Sequence, residues 1–366
     1  MDSVAEGEAQ VPESVDVVVI GGGQAGLALG YYLRRTGLGY VILDEQEQPG
    51  GAWRRAWPSL RLFSPAQWSS LPGWLMPREA GTADEYPSRD AAVAYLAAYE
   101  RRYELPVRRA VRVQGVHGEG GLLRVETSAG DVRARAVVSA TGTWANPVEP
   151  EVPDVGSFNG RLLHSAHYVG PDAFVGQRVI VVGAGNSGAQ IAAELSEVAH
   201  VTWATREPPT FLPEHVDGRY LFEQATARYK ALQEGRTPDP PRSLGDVVQV
   251  PSVRAALARS ALTAVPMFTR FTVDGVVWAD GREERADAVV FATGFRPALA
   301  HLEPLGVVGG GGRVAIASGG SGTRSAAQPR LWLVGYGEWT GFASATLIAV
   351  GRTARAAVDE IVAAVG

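Results

Sequence analysis

Two glycine-rich turns constrain this chain more than any other feature. The first, VVVIGGGQAG, spans 17–26; the second, GAGNSG, spans 183–188 inside RVIVVGAGNSGAQIAAELSEVAHVTWATR. Each follows a run of β-branched residues and opens an apolar helical stretch. Gly21, Gly23 and Gly26 fit GxGxxG, and so do Gly183, Gly185 and Gly188. In that spacing the first glycine permits a tight turn, the second lets backbone approach a pyrophosphate, and the third lets helix and strand pack closely. Amides at the helix start then face the phosphates, with Gln24 and Ala25 in the first unit and Asn186 and Ser187 in the second. One such pattern is weak evidence, since glycine-rich turns produce it by accident. Two copies, each reading strand–turn–helix–strand, predict an α/β chain with two Rossmann-like dinucleotide-binding domains.

The two units differ where the second strand ends. In the first, YVIL runs into Asp44 and Glu45, and Asp44 lies 18 residues beyond Gly26. A carboxylate there accepts hydrogen bonds from ribose hydroxyls and repels a 2′-phosphate. The same offset from Gly188 falls on Arg206, directly after Thr205 closes the strand HVTWAT. Guanidinium pairs bidentately with phosphate. The first unit is therefore expected to hold FAD and the second NADPH. Arginine is this chain's default cation, Lys230 being its only lysine, so a plain surface role is the alternative for Arg206.

Further near-repeats order the chain. VVSATG (137–142) and VVFATG (289–294) each follow a β-meander, which places Thr141 and Gly142 beside FAD and Ala292, Thr293 and Gly294 beside NADPH. The pattern predicts two three-layer (ββα) domains, one nested in the other. An FAD domain of residues 15–150 and 285–366 surrounds an NADPH domain of residues 151–284, after a flexible tail of residues 1–14. The proline-rich, partly helical stretch 207–271 is longer than a crossover requires and is a candidate cap over the substrate entry, with His215 and Tyr220 as lining residues.

Composition excludes several classes. A net charge of −5 argues against nucleic acid or an anionic membrane as partner. No apolar run reaches the roughly 18 residues of a membrane span, and the N-terminus reads as no export signal, so the cytoplasm is the expected compartment. There is no cysteine, which rules out a disulfide and a redox CxxC pair. No metal-ligand cluster is evident, and the assembly is expected to be a monomer or homodimer.

Taken together the motifs resemble those of the class B flavin-dependent monooxygenases. Phe158, Gly160, His164 and Tyr168 in FNGRLLHSAHY meet the family fingerprint FxGxxxHxxx(F/Y); Ala292–Phe295 meets ATG followed by an aromatic; Gly50, Gly51 and Trp53 meet GG-x-W. The likeness runs from about residue 15 to 360 and looks strongest to short bacterial flavoprotein monooxygenases, including those of arsenic-resistance operons. It implies that NADPH reduces the flavin, that O2 forms a C4a-hydroperoxide, and that a small soft nucleophile (sulfur, nitrogen or trivalent arsenic) takes the oxygen. It also implies FAD contacts at Gly51, Ala52, Trp53, Val113, Thr340, Gly341 and Phe342, with Thr340–Ala343 opening the last helix towards the flavin. His164, Tyr168 and Phe63 are the catalytic candidates, Phe63 standing near where the animal-type members carry an asparagine. The alternatives are an NADPH oxidase or reductase, a Baeyer–Villiger ketone oxygenase, and a non-enzymatic redox sensor. A disulfide oxidoreductase is set aside because it needs a cysteine pair.

Overall fold

The structure is a computed structural model that describes residues 11–79, 86–237, 246–341 and 343–366. The first unit runs β1 (Ser14–Ile20), α1 (Gln24–Leu33), β2 (Tyr40–Leu43), α2 (Arg89–Arg102), β3 (Val107–Arg108), β4 (Val113–Glu119), β5 (Leu122–Thr127) and β6 (Val132–Ser139). Strands β3, β2, β1 and β6 are parallel neighbours in that order, with Ile20 opposite both Leu43 and Ser139. The sequence of β6 shows its double duty. Its first half, VRAR, alternates buried and exposed and pairs antiparallel with β5, whereas AVVS is buried throughout. Alternation marks a sheet with one wet face; a continuous apolar run marks one covered on both.

The chain then enters a second unit: β7 (Arg161–His164), β8 (Arg178–Val182), α3 (Asn186–Leu195), β9 (His200–Thr205), α4 (Gly218–Gln233), α5 (Pro251–Ala258), β10 (Ala264–Pro266), β11 (Arg270–Thr272), β12 (Gly275–Val277), β13 (Glu283–Arg285) and β14 (Ala288–Phe291). Here β10, β9, β8, β14 and β7 form a parallel sheet, and β11–β12–β13 an antiparallel meander. Finally β15 (Leu331–Leu333) pairs with the buried half of β6, and α6 (Leu347–Val365) closes the first unit.

Both units bury their sheets the same way. In the first, α1, α2 and α6 cover one face through Leu27, Leu29, Leu96, Tyr99 and Ile361, while Val18, Val41, Val116 and Leu123 pack the other face under the meander β4–β5. In the second, α3 and α5 cover one face with Ile191 and Val253 around Trp203, and Phe268, Phe271 and Trp278 pack the other against Ile180 and Val289. This is the three-layer duplicate that the near-repeats predict.

Three boundaries differ from the sequence expectation. The sequence places the return to the first unit at 285, but β14 pairs with β7 and β8, so the second sheet continues to Phe291. The sequence extends the tail to residue 14; yet β1 begins at Ser14 and Arg133 donates its amide to Glu13, so these residues already belong to the sheet beside β6. Residues 1–10 lie outside the described residues. The stretch 207–271 is only partly an addition, because β10 extends the second sheet, α5 covers it and β11 belongs to the meander. Residues 238–245 of it lie outside the described residues. Helix α4 reaches back to the first unit instead, with Phe222 edge-on to Trp68 at 5.3 Å and Thr226 accepting from Arg352 of α6 at 2.9 Å.

The two linkers run side by side. Val148 donates to Gly294 (2.9 Å), Arg296 to Asn146 (2.8 Å) and Ala298 to Gly142 (2.9 Å), and Trp144 stacks on Phe295 with centroids 5.0 Å apart.

Candidate functional site: two nucleotide cradles

The glycine turns are built alike. The Gly21 amide donates to the Leu43 carbonyl (2.7 Å) and the Gly183 amide to that of Ala204 (3.0 Å). A methyl group on Gly26 would sit 1.9 Å from the Gly21 oxygen, and one on Gly188 would sit 2.2 Å from the Gly183 oxygen. Only a bare backbone lets each helix start lie this close to its strand end. Helices α1 and α3 are N-capped by Gly23 and Gly185 with no capping side chain. Their first amides stay open to an anion. Gly51, in the 3-10 turn Gly51–Arg55, lies against Gly23: a methyl on it would come within 2.8 Å of the Gly23 Cα. The Ala-Thr-Gly turns flank the cradles, with the Ala140 and Ala292 carbonyls directly behind Gly21 and Gly183. Thr141 and Thr293 point their hydroxyls at the Ala298 and Val148 carbonyls of the opposing linker. Open helix-start amides beside bare glycine backbone suit a pyrophosphate at both turns.

The registers refine the acid–cation contrast. Ile20 faces Leu43 in the first unit and Val182 faces Ala204 in the second. Asp44 therefore corresponds to Thr205, and Glu45 to Arg206; the equal offset from the third glycine is one residue out. Asp44 is buried, its Oδ1 accepting from the Gln46 amide at 3.2 Å and its other oxygen pairing with Arg109. Burial pushes its carboxyl above the usual range and the Arg109 guanidinium opposes that. Thr205 is buried and uncharged, whereas Arg206 is exposed and forms no ion pair among the described residues. The second strand end thus offers a neutral floor and a free cation where the first offers a carboxylate.

Other candidates lie elsewhere than expected. His164 is buried with both ring nitrogens engaged: Nδ1 accepts from the Ala166 amide (3.1 Å), so Nε2 donates to the Gly294 carbonyl (3.1 Å). Burial holds its pKa below the ordinary histidine value. Tyr168 is also buried and donates to Glu194 at 2.9 Å. Both side chains fasten β7 to its surroundings, and neither presents a free polar atom to a reactant. Phe63 packs into the second unit's core while its carbonyl accepts from Gly218 at 2.8 Å. Asn186 spends its amide on residues 246–248, through the Asp246 carbonyl (3.0 Å) and the Val248 amide (2.9 Å).

At the last helix the expectation is corrected. Positive φ at Gly341 (124°) and Ala343 (60°) breaks any helix there, Thr346 caps the Ala349 amide, and α6 begins only at Leu347. Thr340 is fully buried and accepts from the Tyr336 amide at 3.1 Å. Phe342 lies outside the described residues. Val113 opens the meander at a bulge, and the backbone lying against Asp44 is that of Val111, whose amide donates to the Asp44 carbonyl (3.0 Å). Trp53, half-buried, donates to Gln24 (3.0 Å), which itself donates to the Ala345 carbonyl (2.5 Å). Gln24 so ties the first turn to the entry of α6.

Several residues that matter carry no sequence signal. Gln190 on α3 bonds both the amide and the carbonyl of Arg61 (3.2 Å each), and Glu194 accepts from Ser59 (2.6 Å), docking the second helix on the first unit. Tyr336 collects Ser139 (2.5 Å) and Thr141 (2.7 Å). Of the cap residues, His215 is exposed and Tyr220 accepts from Gln224 at 3.0 Å. A surface cleft of about 710 Å³ is lined by Arg178, His200, Thr202 and Glu284 at the starting ends of β8 and β9, the far end from the glycine turns. Among the described residues no group of His, Asp and Glu could hold a metal ion.

Comparison with known proteins agrees with this duplicated cradle. Residues 18–220 match the family model described as pyridine nucleotide-disulphide oxidoreductase. A flavin-containing monooxygenase from Stenotrophomonas maltophilia superposes with a TM-score of 0.87 at 52% identity, covering 96% of this chain and 99% of that one. Indole-3-pyruvate monooxygenase YUCCA4 of Oryza sativa subsp. japonica is 31% identical over 78% of this chain and 76% of its own length. An uncharacterized CzcO-like oxidoreductase of Geobacillus kaustophilus is 38% identical over 57% of this chain and 59% of its own length. The family model's disulphide chemistry needs thiols that a cysteine-free chain lacks. The fold, the paired cradles and these similarities make the chain a member of the pyridine nucleotide-disulphide oxidoreductase family and, within it, a class B flavin-dependent monooxygenase that uses FAD and NADPH.

Proposed function

We propose that FAD lies on the first glycine turn, NADPH on the second, and that the enzyme oxygenates a small soft nucleophile: a sulfur, an amine nitrogen or a trivalent arsenical. The first turn would hold the FAD pyrophosphate at Gly21, Gly23 and Gln24, with Asp44 taking the adenosine ribose. The second would hold NADPH at Gly183, Gly185 and Ser187, with Arg206 on the 2′-phosphate. When bound, the flavin reduced by NADPH supplies the oxygen-activating chemistry. This chain's residues then have three tasks: to present the two nucleotides to one another, to orient the substrate and to exclude water.

The observation that supports a soft nucleophile is the commitment of His164 and Tyr168. Both imidazole nitrogens and the phenol are bonded inside the protein, so neither is a free acid or base. Attack by an electron-rich sulfur, nitrogen or arsenic atom needs none. A captured arsenical would lack protein thiolates, there being no cysteine. Helix α4, resting on Trp68 and Arg352 of the other unit, is the cap over the substrate entry in the same reading.

The test compares oxygenated product with hydrogen peroxide during NADPH turnover on thioether, amine, arsenite, cyclic ketone and indole-3-pyruvate substrates. Product matching NADPH use with one of the first three supports the reading. Coupling only with the ketone or the 2-oxo acid assigns a carbon-oxygenating activity instead. Peroxide alone with every compound makes the protein an NADPH oxidase.

A further inference from the structure

Beside the FAD cradle lies a buried charge cluster for which nothing in the sequence motifs accounts. The Arg109 guanidinium pairs through Nη1 with Asp44 and through Nη2 with Glu100 of α2, and all three side chains are largely buried. Strand registers give the reason it is there. Leu43 pairs with Arg108 in the first unit and Ala204 with Val265 in the second, so Arg109 corresponds to Pro266. The second unit, whose strand end is the neutral Thr205, has no cation at the matching place. The first, whose strand end is a buried carboxylate, has one.

We infer that Arg109 is a positioning residue for FAD: it keeps the buried Asp44 ionised and aimed, so that the carboxylate can accept the adenosine ribose hydroxyls. An ionised carboxylate has about four acceptor positions. Arg109, the Gln46 amide and the Gly22 amide take three of them, which leaves a position for a ribose hydroxyl. Without the guanidinium, burial would carry Asp44 towards its neutral form, a weaker acceptor that also donates a proton. The charged groups facing Asp44 are Arg109, directly after β3, Glu45 next to it, and Glu100, whose like charge reaches it directly as well as through Arg109. Glu100 competes for the same guanidinium, so its removal leaves Arg109 to Asp44 alone.

The experiment follows FAD release from diluted holoenzyme by flavin fluorescence, from mildly acidic to mildly alkaline pH. Arg109→Met is expected to release FAD ~10-fold faster or more, the scale of a lost charge-assisted bond, with the acid-side onset of release moved to higher pH. Arg109→Lys restores most of the retention. Glu100→Gln retains FAD as well as the parent or better. If the triad merely braces α2 against β2, Arg109→Met and Glu100→Gln loosen FAD alike and the pH profile stays put; that result overturns the proposal. Should Arg109→Met fail to fold, the Arg109→Lys and Glu100→Gln pair still decides it, since faster release from Glu100→Gln is the overturning outcome. The inference rests on FAD occupying the first turn. Asp44→Asn tests that separately: no effect there removes the cofactor assignment, whereas an Asp44→Asn effect without an Arg109→Met effect removes only the role of Arg109.

Discussion

At Arg206 a guanidinium stands exposed where the other unit has Glu45, and the residue before it is a threonine in place of a carboxylate. Replacing Arg206 by Gln should weaken NADPH binding by about 1–2 kcal/mol, an exposed charge-assisted contact being worth less than a buried one. NADH, lacking the 2′-phosphate, should be unaffected. Separate KM values for the two nucleotides measure this, and an equal loss for both would take Arg206 out of the phosphate site. The residue is legible in the sequence because it follows a strand of fixed length. Its exact partner is not legible, because the path from the end of α3 to Ala204 is one residue shorter than that from the end of α1 to Leu43, and only the paired strands show that. Arg109 is invisible for a related reason: its importance comes from Asp44, a neighbour across the sheet, and no spacing along the chain announces it.

Elements were readable where their patterns were strong and local. The buried run and the alternating run of β6 mark where a parallel sheet passes into a meander, and both glycine turns fall where their spacing puts them. The start of α6 differs from what the family resemblance implies for Thr340–Ala343, because positive φ at Gly341 and Ala343 delays the helix to the Thr346 cap. The turn Ala300–Leu305 was unreadable, though it carries a buried histidine. His301 lies on Ser139 of β6 at 3.0 Å, and burial lowers its pKa to about 4 from an ordinary 6.5. The native state therefore holds His301 neutral while the unfolded chain takes up a proton at about 6.5. Its contribution is complete above that pH and is lost as pH falls towards about 4. His301→Gln should flatten the acid side of the Tm curve within that window. A curve parallel to the parent's would mean that other groups set the acid sensitivity.

On the scale of the whole molecule, the chain is two copies of one three-layer unit, the second inserted into the first and joined by two linkers that bond to each other. The insertion was readable as a pair of near-repeats, because each copy ends its meander on Ala-Thr-Gly. What the repeats could not show is how the copies face each other. That depends on Gln190 and Glu194 gripping residues 59–61 and on α4 crossing back to Trp68, contacts between segments far apart in sequence. Through them the two units are held together while each cradle keeps its own glycine lock.

The division of labour between the cradles can be tested by one substitution, Gly188→Ala, whose new methyl would meet the Gly183 carbonyl oxygen 2.2 Å away in the second cradle only. The measurement is anaerobic mixing of FAD-loaded protein with NADPH while the flavin absorbance is followed. The variant should keep its bound, yellow FAD and fail to bleach it at NADPH concentrations that reduce the parent within seconds. If Gly188→Ala sheds its FAD while remaining folded, or is bleached by NADPH as readily as the parent, the two nucleotides are not divided between the turns in this way.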